Sequence, residues 1–406
     1  MFTSLPFLGP LSTLLVRLAN LVDAYDPQRF LLLSLPTVQR REHLDSSAPR
    51  PSPLIPSICL SAPASPPSTS PQQDKYPHRM TVDVPILSLH DLADPARRQE
   101  LAHQLGRAAR GSGFFQILTS ESTDLIDSAF ALTARTFSLP LEEKQKYKRN
   151  PQTNRGYDVL GGQALKGAIG VGHDEQEKNG DVADAETPDM KDGVDSSFEY
   201  WDRFGHGTNV LPSSSQVPEM KEVMAAYYNA MLSLATELMK LVALSLEMPE
   251  DTFAELCRLP AAALRLLHYP PELEGTGAGA HTDFGLITIL ATSGAPGLEL
   301  FLPATASWVP IEPAPGAFVV NVGDILSLYT GGEYRSSLHR VVNKSGVRRY
   351  SIPFFLDGNS DVLVSPVRGP GMGKFAPVTV EQHLKTKFDA SYYDTSAMDA
   401  MRAVIG

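Results

Sequence analysis

The segment HTDFGLITIL places two ionisable side chains at the start of an otherwise apolar run. The apolar remainder predicts a β-strand, and side chains two residues apart on a strand share a face. We therefore expect His281 and Asp283 to point the same way, with Thr282 opposite. A buried carboxylate beside a histidine is costly unless it is paired or binds a metal ion. The pattern fits two metal ligands or an ion pair at a strand end, and HxD alone does not separate the two.

A second histidine, His339 in SSLHRVVNKSGVRRYSIPFFLDG, supplies a third potential ligand. Several predicted strands separate it from His281, so an antiparallel double sheet would let its strand return beside the first pair. Two histidines and one carboxylate on one face of a metal ion form the facial triad of non-haem Fe(II) oxygenases. Three protein ligands leave room for a bidentate co-substrate and dioxygen. The pattern therefore favours iron-dependent oxidation.

Arg349 and Ser351 follow on the next predicted strand and share one face of it. The intervening NKSG has the composition of a hairpin turn, which predicts that this strand pairs with the strand of His339. A guanidinium fork binds a carboxylate through two hydrogen bonds, and a nearby hydroxyl can donate to the same group. The pair could hold the distal carboxylate of 2-oxoglutarate, or it could form a structural ion pair. HxD, His and RxS in this order are far more specific than any one of them.

With these motifs the chain resembles the 2-oxoglutarate- and Fe(II)-dependent dioxygenases of the isopenicillin N synthase type. The resemblance runs from about residue 83 to 390 and is most specific at 264–356. The matching segments are VPILSL, GSGFFQI, FSLPLEEKQKY, RGY, PDMKD, LRLLHYPP, HTDFGLITIL, VNVGDILSLYTGGEYRSSLHRVVN and RYSIPFF. The resemblance implies a mainly β fold with α: a distorted double-stranded β-helix (jelly roll) core with an N-terminal helical scaffold.

By this resemblance His281, Asp283 and His339 bind Fe(II), while Arg349 and Ser351 bind the carboxylate of the co-substrate 2-oxoglutarate. The implied reaction consumes dioxygen, releases succinate and carbon dioxide, and oxidises a small organic molecule, with hydroxylation favoured. The alternative is a 2-oxoglutarate-independent Fe(II) oxidase that desaturates or closes a ring. In that enzyme the Arg–Ser pair would hold a substrate carboxylate. A non-catalytic jelly-roll binding module is the third hypothesis.

Three further residues are candidates for ligand binding. Many relatives carry Asn-Tyr-Tyr before the proline of LRLLHYPP, where this chain has Leu267, His268 and Tyr269. Only Tyr269 matches, and we expect it to be a hydrogen-bond partner of 2-oxoglutarate, whereas His268 points to the other face. Arg155 and Tyr157 belong to NRGYDVLGG, whose counterpart lines the substrate entrance in relatives. They are the predicted substrate contacts.

Composition divides the chain into regions with different roles. The first is rich in Pro and Ser and is predicted to be disordered, or to precede the true start of the protein. The predicted regions are an N-terminal extension (1–80), an N-terminal dioxygenase region of strands, helices and an acidic loop (81–215), a scaffold helix (216–260), the Fe(II)/2-oxoglutarate jelly-roll core (261–360) and a C-terminal segment (361–406).

Local patterns predict the elements that position the motifs. DPARRQELAHQLGRAARGSG is a predicted helix with Asp94 as N-cap, Pro95 in the first turn and Gly111 at the end. Apolar residues three and four apart predict a long helix in VPEMKEVMAAYYNAMLSLATELMKLVALSLEM. After residue 260, short strands separated by Gly and Pro predict a sandwich or barrel. AFVVNVGDILSLYT is among these strands, with Asp324 as a turn former.

Charge and composition narrow the possible partners. A net charge of −11 argues against a general nucleic-acid binder. No run of about 20 uncharged apolar residues supports a membrane span. Two cysteines without a CxxC spacing suit a reducing compartment, so we expect a cytoplasmic protein. His173 and His206 flank the acidic loop and are not expected to bind metal. Pyrimidines, pyridines, amino acids and secondary metabolites all stay open as substrates, as does the oligomeric state.

Overall fold

The computed structural model describes residues 84–90, 92–119, 123–149, 155–158, 192–197, 209–271, 275–343 and 346–392. The predicted N-terminal extension lies outside these residues. So do residues 159–191 of the acidic region, with His173, and also His206. The five predicted regional boundaries stay predictions.

An eight-stranded sheet forms one layer of the β core. Its strands, in spatial order, are β1 (Ile86–Ser88), β2 (Phe114–Leu118), β10 (Phe318–Val322), β7 (Ile287–Thr292), β12 (Arg349–Asn359), β5 (Pro260–Tyr269), β4 (Asp192–Ser197) and β3 (Gly156–Asp158). β1 and β2 run parallel, and the other neighbouring pairs are antiparallel. FVVNV of β10 is buried at every position, because both faces of the sheet are covered.

A four-stranded sheet faces the large one. Its order is β6 (Gly275–His281), β11 (His339–Asn343), β8 (Leu298–Leu302) and β9 (Ser307–Pro310). A short third sheet pairs β13 (Leu363–Val364) with β14 (Val378–Thr379). Apolar side chains from the two larger sheets, with Ile311 just after β9, meet in an inner core: Phe114, Leu267, Tyr269, Ala278, Leu298, Leu300, Ile311, Val319 and Val341. This arrangement confirms the predicted jelly-roll core.

Helices cover the outer face of the large sheet and form the predicted scaffold. The helices are α1 (Pro95–Arg110), α2 (Thr123–Ser138), α3 (Leu141–Gln145), α4 (Met220–Ser245), α5 (Ala254–Arg258), α6 (Asp324–Tyr329) and α7 (Val380–Tyr392), with 3-10 turns at Glu250–Phe253 and Pro303–Thr305. Tyr228 of α4 meets Phe354 of β12 edge to face, with 5.3 Å between ring centroids. Within the described ranges, no helix has both the length and the apolar character needed to cross a membrane.

The predicted limits of α1 are confirmed. The Asp94 carboxylate accepts a hydrogen bond from the Ala96 amide at 2.9 Å, and Pro95 occupies the first turn. Gly111 ends the helix and donates its amide to the Arg107 carbonyl at 2.9 Å. Local capping chemistry is therefore sufficient to place this helix.

The continuous strand predicted for HTDFGLITIL is wrong at its start. β6 ends at His281 and β7 begins at Ile287, so residues 282–286 form a turn that connects the two sheets. A Cβ atom at Gly285 would lie 2.3 Å from a carboxylate oxygen of β12, so only glycine allows this close approach. His281 and Asp283 nevertheless lie on the same side of the chain, as predicted, while the hydroxyl of Thr282 between them reaches Asp324.

The hairpin predicted at NKSG is also wrong. β11, which begins at His339, lies in the small sheet, whereas β12, which begins at Arg349, lies in the large one between β5 and β7. The connection therefore crosses from one layer to the other. As a result, the predicted metal ligand and the predicted carboxylate binder belong to sheets that face each other.

AFVVNVGDILSLYT is not a single strand. β10 ends at Val322, and α6 begins at Asp324 after Gly323. A Cβ atom at Gly323 would lie 2.3 Å from the Gly285 carbonyl oxygen, so the chain turns here against the segment that follows β6. Asp324 starts the helix, and its amide donates to the Asp283 carbonyl at 2.8 Å.

Candidate metal and co-substrate site

Three predicted metal ligands converge at one end of the small sheet. His281 ends β6 and His339 begins β11, and the two residues lie opposite each other in the sheet register. Asp283 follows two residues after His281, and its Oδ1 lies 3.7 Å from the Nε2 atom of each histidine. All three ligand atoms lie within 4.8 Å of one another. The structure therefore brings together the residues that the sequence places far apart.

Backbone carbonyls orient both histidine rings. Nδ1 of His281 lies 2.7 Å from the Gly279 carbonyl oxygen, and Nδ1 of His339 lies 3.0 Å from that of Ser337. A carbonyl oxygen can only accept, so each Nδ1 carries a proton and each Nε2 is directed at the Asp283 carboxylate. Phe114 supports the His339 ring edge to face, with 5.4 Å between centroids. Both rings are thus held as metal ligands require.

The two oxygens of the Asp283 carboxylate have different surroundings: Oδ2 is hydrogen-bonded to other side chains, and Oδ1 faces the histidines. Oδ2 accepts hydrogen bonds from the Thr288 hydroxyl at 2.5 Å and the Asn321 amide at 2.7 Å. Thr288 and Asn321 face each other on β7 and β10, so the large sheet holds this side chain. Burial alone would raise the pKa of Asp283, but the two histidines and these hydrogen bonds lower it below its ordinary value. The carboxylate is therefore ionised, and its Oδ1 faces the two histidines.

These residues fit a single metal ion. Nitrogen and oxygen ligands lie about 2.0–2.2 Å from ions such as zinc, so two ligands of one ion can be up to about 4 Å apart. The separations of 3.7 Å between carboxylate oxygen and histidine nitrogens satisfy this limit. Two imidazoles and one carboxylate are the donor set of non-haem iron, and three coordination positions stay free for other ligands.

Arg349 and Ser351 lie at the start of β12 and are each 1 % exposed. The Arg349 guanidinium donates to the Ser351 hydroxyl at 3.2 Å, and its Nε has no hydrogen-bond partner. Among the described residues, no carboxylate lies within ion-pair distance of Arg349. A buried cation without an anionic partner is costly, so this pair is built to receive one. The distal carboxylate of 2-oxoglutarate matches that need.

Tyr269 lies beside this pair. It is opposite Arg349 in the register of β5 and β12, and its ring lies under the guanidinium, with 4.7 Å from Cζ to the ring centroid. Gly277 makes room for the ring, because a Cβ atom there would lie 2.7 Å from it. Leu267 and Tyr269 belong to the inner core together with Phe114, which contacts His339. Both parts of the site therefore border the same space between the sheets.

Sequence reasoning missed Asp357, a carboxyl group near the triad. Asp357 lies at a β-bulge of β12, where Leu356 pairs with Ala262 and Gly358 pairs with Ala261. Bulges occur beside active sites and redirect a side chain, and no local pattern predicts this one. Burial raises the pKa of Asp357 to about 7, with a further increase from the charge of Asp283 and a decrease from Arg155. A polar residue in the apolar run SIPFFLDG was the one available signal.

The two predicted substrate contacts occupy different surroundings. Arg155 is 3 % exposed, and its charge reaches Asp357. Tyr157 is equally buried, but it packs in the apolar core formed by the large sheet and the helices that cover it. The Lys144 ammonium lies 5.4 Å from its ring centroid. The structure thus places Arg155 near the carboxyl group of Asp357 and Tyr157 among core residues. Both substrate contacts stay predictions.

Asp357→Asn is expected to stabilise the metal-free protein more at pH 8 than at pH 5. A folded-state pKa of about 7 lies above the ordinary value of about 4, so the stability linked to protonated Asp357 is complete below about pH 4 and lost as the pH rises through 7. Asparagine does not ionise, so the free energy of unfolding gained by the substitution should be about 1–3 kcal/mol larger at pH 8 than at pH 5. Denaturant unfolding at both pH values measures it.

Asp251→Asn is the matched control for this prediction, because Asp251 is exposed in the 3-10 turn after α4. We expect its effect on unfolding to be the same at both pH values. An equal effect of Asp357→Asn at pH 5 and pH 8 would contradict the raised pKa.

Comparison with known proteins identifies the family. Residues 260–358 match the model of the 2OG-Fe(II) oxygenase superfamily, and residues 84–214 match the N-terminal model of a non-haem dioxygenase in morphine synthesis. The chain is 34 % identical to the 2-oxoglutarate-Fe(II) type oxidoreductase hxnY of Emericella nidulans, over 74 % of this chain and 87 % of that relative. It is 36 % identical to the clavatol oxidase claD of Penicillium crustosum, over 73 % and 92 %.

Solved structures show the same fold. A full-length Neurospora crassa protein in complex with alpha-KG and thymine superposes with a TM-score of 0.64 at 24 % identity, over 76 % of this chain and 96 % of that one. JOX2 in complex with 2OG, Fe and JA superposes with a TM-score of 0.60 at 25 % identity, over 78 % and 88 %. The predicted family, jelly-roll fold and dependence on Fe(II), 2-oxoglutarate and dioxygen are thereby confirmed. The chain belongs to the 2-oxoglutarate- and Fe(II)-dependent dioxygenases.

Proposed function

We propose that this dioxygenase hydroxylates a small organic molecule at the site between its two sheets. His281, Asp283 and His339 would hold Fe(II), and Arg349 with Ser351 would hold the distal carboxylate of 2-oxoglutarate. The bound iron supplies the oxidation, in which one atom of dioxygen enters succinate, with loss of carbon dioxide, and the other enters the substrate. The observation that carries this proposal is the buried Arg349, which has no carboxylate partner among the described residues.

The protein's own groups prepare the site in three ways. The Gly279 and Ser337 carbonyls hold both histidine rings through Nδ1, so that each Nε2 is directed at the Asp283 carboxylate. Thr288 and Asn321 fix one carboxylate oxygen of Asp283, so the other stays directed at the histidines. Because the Ser351 hydroxyl accepts from Arg349, its own proton stays available to donate to the co-substrate. We propose that the Tyr269 hydroxyl donates to the same molecule.

The substrate is proposed to be a small molecule with polar groups. One relative is named a clavatol oxidase, and the similar Neurospora crassa structure holds thymine, so ring compounds, including secondary metabolites, are the first class to test. Arg155 and Tyr157 are the proposed substrate contacts, and Asp357 is added to them because it lies within electrostatic reach of both Arg155 and Asp283. Neither a nucleic acid nor a membrane is part of this proposal, and a cytoplasmic location rests on cysteine usage alone.

The two other hypotheses are not favoured. A 2-oxoglutarate-independent oxidase would use Arg349 and Ser351 for a substrate carboxylate, but the similar proteins are named for their use of 2-oxoglutarate. A non-catalytic binding module is equally at odds with an intact His-Asp-His cluster in a chain of this family.

Succinate production in a substrate panel tests the proposal. The purified chain, Fe(II) and 2-oxoglutarate are incubated with phenolic ring compounds, pyrimidines, pyridines and amino acids. We expect members of one class to raise succinate above the substrate-free level, in equal amount to a product that is heavier by one oxygen atom. Product that forms without succinate would establish the oxidase instead, and a product that has lost two hydrogens would replace hydroxylation with desaturation.

A further inference from the structure

Behind the triad lies a buried carboxylate, Asp324, that is not a metal ligand. Its Oδ1 accepts a hydrogen bond from the Ser336 hydroxyl at 2.5 Å. Its Oδ2 accepts one from the Thr282 hydroxyl at 3.2 Å and lies 2.6 Å from the Lys387 ammonium. The Asp324 side chain is 15 % exposed, and that of Lys387 is 11 % exposed. One carboxylate thus joins three separate segments of the chain.

Two of these segments carry the metal ligands. Thr282 lies between His281 and Asp283 in the sequence, and the Asp324 amide also donates to the Asp283 carbonyl at 2.8 Å. Ser336 precedes Ser337, whose carbonyl orients the ring of His339. Asp324 therefore holds the backbone on both sides of the metal site, while its side chain lies outside the ligand set.

The third segment is the C-terminal helix α7. Besides Lys387, its Phe388 meets Phe284 edge to face at 5.7 Å between centroids, and the Lys387 ammonium lies 5.7 Å from the same ring. His383 also reaches the Phe284 backbone with a hydrogen bond, but burial lowers the pKa of His383 to about 4. His383 is therefore neutral near pH 7, and Lys387 is the cation that balances Asp324.

We propose that Lys387 is a positioning residue of the iron site, which acts through Asp324 on the segments of Asp283 and His339. The inference rests on the proposed function, because it assumes that these segments bind the metal. A buried ion pair that loses one partner leaves an uncompensated charge, which is strongly unfavourable. Without Lys387, Asp324 cannot keep its present burial and contacts, so the two ligand segments lose their common support.

The affinity of the metal-free protein for added metal ions tests this role without a measurement of turnover. Lys387→Met is compared with Lys385→Met, its matched control on the same helix, whose side chain is 52 % exposed and pairs with Glu381. We expect Co(II) and Fe(II) to bind Lys387→Met about 10- to 100-fold more weakly, as when an outer partner of a metal ligand is lost. Lys385→Met should bind as the wild type does, and Lys387→Arg should recover most of the affinity.

A double variant separates positioning from stability. Asp324→Asn with Lys387→Met removes both buried charges, so its melting temperature should return toward that of the wild type. Its metal affinity should stay reduced, because an amide has one acceptor oxygen for Thr282 and Ser336, where the carboxylate has two.

Two results would overturn the inference alone: wild-type metal affinity in Lys387→Met, or recovery of affinity together with stability in the double variant. Failure of the wild-type chain to bind either metal would instead overturn the proposed function on which the inference rests.

Discussion

Replacing Asp283 with alanine is expected to abolish Fe(II)-dependent succinate formation from 2-oxoglutarate. The variant keeps both histidines but loses the anionic ligand, whose oxygen lies 3.7 Å from each of their Nε2 atoms. Loss of a group that only supports a metal ligand costs about 10- to 100-fold in affinity or activity, and loss of the ligand itself should exceed that. Iron content after anaerobic loading and succinate release give the two measurements.

Two further variants separate this effect from a folding defect. Alanine at position 283 leaves the donors of Thr288 and Asn321 unpaired, which costs about 1–3 kcal/mol of stability. Asp283→Asn retains an acceptor oxygen for them but removes the charge, so we expect it to be folded and equally inactive. Asp251→Ala, at an exposed site, should turn over as the wild type does. Iron-dependent succinate formation in both Asp283 variants would show that this residue is not a ligand.

Arg349→Met is expected to raise the KM for 2-oxoglutarate by about 30- to 4,000-fold. Truncating one partner of a buried, hydrogen-bonded charge pair costs about 2–5 kcal/mol, and each 1.4 kcal/mol corresponds to a factor of ten. Arg349→Lys keeps the charge but loses the planar fork, so its KM should lie between those of the wild type and the methionine variant. Initial rates over a range of 2-oxoglutarate concentrations measure the effect.

Without 2-oxoglutarate, Arg349→Met should not destabilise the protein. The Arg349 guanidinium is buried with an unpartnered Nε, so an apolar side chain of similar length should leave the melting temperature unchanged or raise it. At the same concentration, added 2-oxoglutarate should stabilise the wild type more than Arg349→Met, because the variant binds it more weakly. An unchanged KM would mean that the co-substrate carboxylate binds elsewhere.

Local chemistry made much of this fold predictable. Asp94, Pro95 and Gly111 place both ends of α1, and apolar spacing locates α4, because caps and periodicity act within a few residues of the chain. The HxD, His and RxS motifs were found for a similar reason: their side-chain types and order carry chemical information before folding. The resemblance to a known family then predicts that these residues form one site.

The sequence by itself determined the fold class, and it predicted His281, Asp283 and His339 as metal ligands and Arg349 with Ser351 as the carboxylate-binding pair. Only the tertiary structure decided how these residues meet. Contacts between segments distant in the sequence fix four features. These are the connection at 282–286, the crossing of the chain between sheets after β11, the bulge at Asp357 and the link from Lys387 to Asp324. Strand alternation and turn composition describe neighbours along the chain, and they carry no information about which layer a strand will join.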